Sequence, residues 1–115
     1  MKGLPATPLD YGGLYQILVG PIRARLMMAG IELRIFNLLK TYCSAEDVAR
    51  DAGTHPGNTR CFLDALVTID LVEKKDGRYR NLPLTRAFLS EDSPTCLGAM
   101  FRMIEKRCVE PLAEL

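Results

Sequence analysis

Between Ile22 and Leu39 the chain reads IRARLMMAGIELRIFNLL, a stretch apolar on two sides of a single helix. At about 100° per residue, Ile22, Leu26, Ala29, Leu33 and Phe36 form one stripe, and Ala24, Met28, Ile31, Ile35 and Leu38 form another almost opposite. Arg23, Arg25, Glu32 and Arg34 fall in the strips between. A helix of this kind must be covered on both sides. A chain of 115 residues builds one core, which covers one side. The other side most economically meets a second copy of the chain. A preceding helix over residues 9–19 carries Leu14, Ile17 and Leu18 at helical spacing, with Asp10 as its expected N-cap. Gly20-Pro21 separates the two, since Pro21 suits the first turn of a new helix. The candidate dimer interface is therefore Leu14, Ile17, Leu18, Ile22, Leu26, Ala29, Leu33 and Phe36, with the opposite stripe of 22–39 as the alternative face.

The segment from Ser44 to Leu82 has its own logic. Ser44 and Asp47 resemble a capping box with Asp in the place of Glu, and Gly53 is a natural helix stop. A further helix from Pro56 to about Asp70 places Phe62, Leu63, Leu66 and Ile69 on one stripe. LVEKKDGRYRNL then reads as a hairpin turning at Asp76-Gly77. Helix, helix, hairpin predicts a winged helix-turn-helix. Thr85 is the expected cap of a short helix ending at Leu89, and residues 97–109 are helical by pattern. The expected fold is mainly α: a winged helix-turn-helix with a small β-hairpin wing and additional N- and C-terminal helices. Residues 1–8 are expected as a flexible tail before a single domain over 9–115, divided into dimer helices (9–40), winged helix (44–82) and C-terminal helices (85–115).

A DNA reader of this shape would set its second helix in the major groove. The charges speak against it. From Ser44 to Leu82 there are six basic residues and seven acidic ones, so the reading head is net −1. Phosphate neutralisation by Lys and Arg supplies nearly all non-specific affinity for nucleic acid. The KKDGRYR hairpin keeps open a phosphate clamp beside the alternative of a solvated hairpin tip. A net charge of +1 over the whole chain gives no long-range field for nucleic acid or anionic lipid. Cys43, Cys61, Cys96 and Cys108 form no C-x-x-C pair and His55 is the sole histidine, so no metal site is expected. No Gly-rich strand-to-helix turn is present, and no catalytic or cofactor-binding residues are assigned. The opening residues lack the pattern of a signal peptide, and charges interrupt every apolar run, so a cytoplasmic location without membrane spans is expected.

ARLMMAGIELRIFNLL, followed by SAEDVARDAGTHPGNTRCFLDALVTIDLVEKKDGRYRNLPLTRAFL, resembles the N-terminal dimerisation domain of S-adenosylmethionine-dependent small-molecule O-methyltransferases. The order and spacing of the A-G-I-E-L-x-I-F helix, the RCFLDAL run, the DGRY wing and LTRAFL carry the likeness from Ile22 to Met103. The resemblance implies a homodimer whose winged-helix domain helps wall the pocket of a small-molecule acceptor. It also implies that S-adenosylmethionine and the catalytic base belong to a separate C-terminal domain, so this chain is expected to hold no cofactor and not to be catalytic alone. The alternatives are a winged-helix DNA-binding transcription regulator and a stand-alone interaction module. In CLGAMFRMI, Met100, Phe101 and Met103 are the candidate substrate wall, with Met27 as a weaker member. Methionines and an aromatic at this spacing are also what a plain core would use.

Overall fold

The computed structural model describes residues 9–114, and its first element corrects the expected pair of N-terminal helices. A single helix, α1 (Gly12–Glu32), runs through Pro21 without interruption. Proline there removes the N–H that would bond the Ile17 carbonyl. Residues 21–25 are all exposed, so water can take that carbonyl and the helix continues. The N-cap is Tyr11 rather than Asp10, although the Asp10 carboxylate still accepts the Gly12 N–H at 2.9 Å.

At its other end α1 stops at Glu32, well short of Lys40. Arg34 takes a left-handed conformation (φ 59°), and Ile35–Asn37 form one 3-10 turn. This reversal swings Phe36 back under the helix, where it is 1% exposed. Its ring lies so close to Gly30 that a Cβ there would sit 2.6 Å from it. Phe36 is thus a core residue, and its place in the interface stripe is corrected: the helical wheel assumed a helix that had already ended.

Next come β1 (Cys43–Ser44), α2 (Ala45–Ala52) and α3 (Pro56–Thr68). The Ser44 hydroxyl accepts the Asp47 N–H at 3.1 Å, and Gly53 closes α2 at φ 71°, as the capping pattern implies. Ser44→Ala should therefore cost about 1 kcal/mol of stability, read as a lowered urea midpoint. His55 caps α3, its Nδ1 accepting the N–H groups of Gly57 and Asn58 at 3.1 and 3.3 Å. Strands β2 (Val72–Lys75) and β3 (Arg78–Asn81) form the expected hairpin, with Asp76 and Gly77 both at positive φ. Two positive φ values in a two-residue loop match the right-handed twist of the strands. The strand β1, absent from the sequence reading, pairs antiparallel with β3 (Cys43 opposite Tyr79) and makes a three-stranded sheet of order β1-β3-β2.

Helix α4 (Pro83–Leu89) begins two residues before Thr85, with Leu82 at the N-cap and Pro83 at the first position. Thr85 is consequently buried inside the first turn rather than capping it, because Pro83 already holds the φ that a helix start needs. Helix α5 (Gly98–Ile104) continues through a π turn (Glu105–Val109) and a 3-10 turn (Glu110–Glu114). The chain is mainly helical with one small antiparallel sheet.

The core joins Met28, Ile31, Ile35 and Phe36 to Val48 of α2, Leu63 and Leu66 of α3, and Val72 and Tyr79 of the sheet. Tyr79 is buried except that its hydroxyl donates to Asp64 Oδ1 at 2.5 Å, where Lys74 Nζ also bonds at 3.0 Å. These two hydrogen bonds, that from Tyr79 first, hold the Asp64 carboxyl below its ordinary range. A carboxylate lowered in the folded state adds stability that is present above its unfolded pKa and lost as pH falls through the folded value. Tyr79→Phe should flatten the fall in stability below about pH 4, as urea midpoints measured across that range will record.

Candidate functional site

The outer two thirds of α1, residues 12–25, spans about 20 Å at 1.5 Å per residue and is mostly exposed. Leu14, Ile17 and Leu18 are 73–74% exposed, and Ile22 is 62% exposed. Isolated helices of this length are marginal in water, so such a projection needs external cover. The radius of gyration is 16.6 Å, against roughly 13 Å for a compact domain of this size. The arm carries polar contacts along its length, Arg23 with Gln16 at 2.6 Å and Arg25 with Glu32 at 3.6 Å, and Arg25 also reaches Glu105 beyond α5 at 3.8 Å.

The two stripes differ in burial along α1. Met28, Ile31 and Ile35 of the second stripe are buried, and Leu38 is half-buried, so that stripe faces the core. Ala24, further out, is exposed. On the first stripe Ile22 and Leu33 are exposed, while Leu26 and Ala29 are half-buried. With Phe36 removed to the core, the face left open is Leu14, Ile17, Leu18, Ile22 and Leu33, edged by Leu26 and Ala29.

The four wall candidates do not converge. Met27 and Phe101 are half-buried and line an apolar groove of about 210 Å³, together with Leu71, Leu84, Phe88 and Leu97. Met100 and Met103 lie outside that groove at 43% and 47% exposure, beside the similarly exposed Ile104. Leu84 (63% exposed) and Phe88 (38%), not among the wall residues expected from the sequence, line the groove as well. Their signal was present: within LTRAFL they stand four residues apart, one turn of helix, and Thr85 and Leu89 form the buried pair beside them.

Around α3 and the hairpin, cations face acids. Arg60 pairs with Glu46, Lys74 with Asp64, and Arg80 with Glu73 at 2.5 Å. The Arg80 guanidinium also lies 4.4 Å from the Tyr42 ring centroid, and its hydrogen bond holds the Glu73 carboxyl low. Among the described residues, Lys75 and Arg78 at the tip make no ion pair within 4 Å, though Lys75 helps hold the Glu73 carboxyl low. His55 serves as a helix cap. Among the described residues no group of three or more His, Cys, Asp or Glu is placed to hold a metal ion, and no helix is long and apolar enough to cross a membrane.

The comparisons with known proteins agree on one domain. The family model for the O-methyltransferase dimerisation domain matches residues 15–91. The tetracenomycin polyketide synthesis 8-O-methyl transferase TcmO of Streptomyces glaucescens is 29% identical over 106 residues, covering 90% of this chain and 31% of that protein. The N,N-dimethyltransferase OxyT of Streptomyces rimosus is 33% identical over 101 residues, covering 85% and 29%. Among solved structures, PigF with SAH superimposes at TM-score 0.79 with 27% identity, covering 93% of this chain and 35% of that one. Human N-acetylserotonin methyltransferase in complex with SAM does so at 0.72 with 26% identity, covering 90% and 32%. The chain thus spans about a third of the length of the relatives it matches.

Proposed function

Because the chain belongs to the O-methyltransferase dimerisation-domain family, we propose that it pairs with a second copy of itself through α1 and walls the acceptor pocket of a methyltransferase that uses S-adenosylmethionine. The observation that carries the reading is the arm of α1, whose Leu14, Ile17, Leu18 and Ile22 are 62–74% exposed among the described residues. In the same reading α2, α3 and the β2–β3 hairpin are a winged helix-turn-helix used as scaffold, with surface ion pairs where a DNA reader would need free cations. The methyl donor binds outside these residues. The apolar groove has no charged side chain in its lining to meet the amino-acid end of such a donor.

Met100 and Met103 are the wall residues in this reading. They are half-exposed thioethers on a helix, suited to a flat apolar acceptor once another part of the protein closes over them. Phe101 and Met27 support them from the core side. In the methyltransferase carrying this domain, Met100→Ala with Met103→Ala should raise the KM for the acceptor several-fold and leave the KM for the methyl donor unchanged. Equal KM values for the acceptor in variant and parent would remove these two residues from the wall.

Nucleic acid has no role in this reading. Three of the cations of α3 and the hairpin are already paired with carboxylates, and the segment is net −1. A mobility-shift assay with random duplex DNA at physiological salt should show no complex at micromolar protein. A complex that dissolved on Lys75→Ala or Arg78→Ala would support a regulator instead.

A further inference from the structure

We propose that the cavity between the end of α1 and α5 is a binding site for a small aromatic carboxylate, independent of the homodimer reading. The cavity holds about 200 Å³. Its floor is apolar, made by the buried Ile31, Phe36 and Leu89, and Gly98 adds no side chain to fill it. Its rim is charged: Arg34, Glu91 and Arg102 line it, a sum of +1. On α5, Ala99 and Arg102 face this cavity, about 150° around the helix from Leu97 and Phe101, which line the apolar groove. Met100 and Met103 stand about 100° away on the same helix, so the site is not the proposed acceptor wall. Leu89 borders both the cavity and the groove.

The rim is held in place across the fold. Glu91 Oε2 accepts from Arg34 Nη2 at 2.6 Å and from Asn37 Nδ2 at 3.0 Å, and the Glu91 N–H donates to Asn37 Oδ1 at 2.8 Å. These bonds, that from Arg34 first, keep the Glu91 carboxyl below its ordinary range, and the nearby charge of Arg102 adds to the effect. Glu91 thus already has its cation in Arg34, while Arg102 makes no ion pair within 4 Å among the described residues. The rim therefore presents one guanidinium in excess, and its fork matches a carboxylate through two parallel N–H···O bonds. The floor selects the rest of the ligand. A dry apolar cavity of about 150 Å³ is enough to hold benzene. A cavity of about 200 Å³ accommodates one ring with its carboxylate at the mouth. A rigid ring also loses little conformational freedom on entry. A phosphate would carry more charge than the +1 rim balances and would leave the apolar floor unused.

The test titrates benzoate into the heavy-nitrogen-labelled 115-residue chain and follows its amide resonances. The amides of Gly30, Asn37, Gly98 and Arg102 should shift saturably, with a Kd of about a millimolar or below for so small a ligand. Benzamide, the neutral analogue of the same shape, should bind at least tenfold more weakly. Arg102→Gln removes the excess charge from an exposed position and should weaken benzoate at least tenfold. Ala99→Phe, also exposed, fills the cavity without touching a charge and should abolish binding, whereas Arg107→Gln, outside the cavity, should leave it unchanged. Each variant is checked for the circular dichroism spectrum of the parent. The assignment is overturned by any of three results: no saturable shift up to about 10 mM benzoate, equal binding of benzamide, or shifts confined to the Leu84 and Phe88 groove. Unchanged benzoate affinity in folded Arg102→Gln and Ala99→Phe also overturns it.

Discussion

Replacing Ile17 and Leu18 together by aspartate should convert a dimer at micromolar concentration into a folded monomer, with dimerisation weakened more than about a hundredfold. Both side chains are about three-quarters exposed in the single chain, so their loss removes almost no intrachain packing. Each apolar side chain buried by a partner contributes roughly 1.5–3 kcal/mol. A charge driven into the same contact adds a desolvation cost to that loss. Sedimentation velocity and circular dichroism on the same samples measure both halves of the expectation. A variant that stays dimeric places the contact elsewhere, and a variant that unfolds shows the arm to be part of the fold.

Phe36→Ala should do the reverse, destabilising the fold by about 3–5 kcal/mol through the cavity it leaves. Domains of this size are stable by roughly 5–15 kcal/mol in all, so the urea midpoint should fall sharply. The reason lies in the turn at Arg34, which brings the ring onto Gly30 and into the core. Leu33→Ala, at 46% exposure and three residues earlier in the sequence, should change the midpoint little. If Phe36→Ala kept the parent's midpoint and lost only the dimer, Phe36 would be an interface residue after all.

Much of this architecture was legible where local chemistry decides local structure. Ser44, Gly53 and the Asp76-Gly77 turn each carry a backbone requirement that few residues meet, and each stands where the sequence places it. The exposed arm residues Leu14, Ile17, Leu18 and Ile22 could be read from periodicity alone. The failures share one physical cause, tertiary context overriding a local signal. Pro21 does not break α1 because its surroundings are wet. Phe36 leaves its stripe because a left-handed residue ends the helix, and nothing in the identity of Arg34 announces that conformation. The two-residue strand β1 is too short to show an alternating pattern and exists only because β3 offers it an edge. On the candidate site, the wheel found the arm but not the groove, whose walls come from α1, α4, α5 and Leu71 and meet only in the fold.

The pairing of two chains through α1 is tested most directly by sedimentation equilibrium of the unmodified 115-residue chain over a dilution series through the micromolar range. The expected result is a species of twice 12.8 kDa that dissociates only on dilution well below that range. A single species of 12.8 kDa at every concentration would contradict it, because the apolar arm would then be stable in water without a partner.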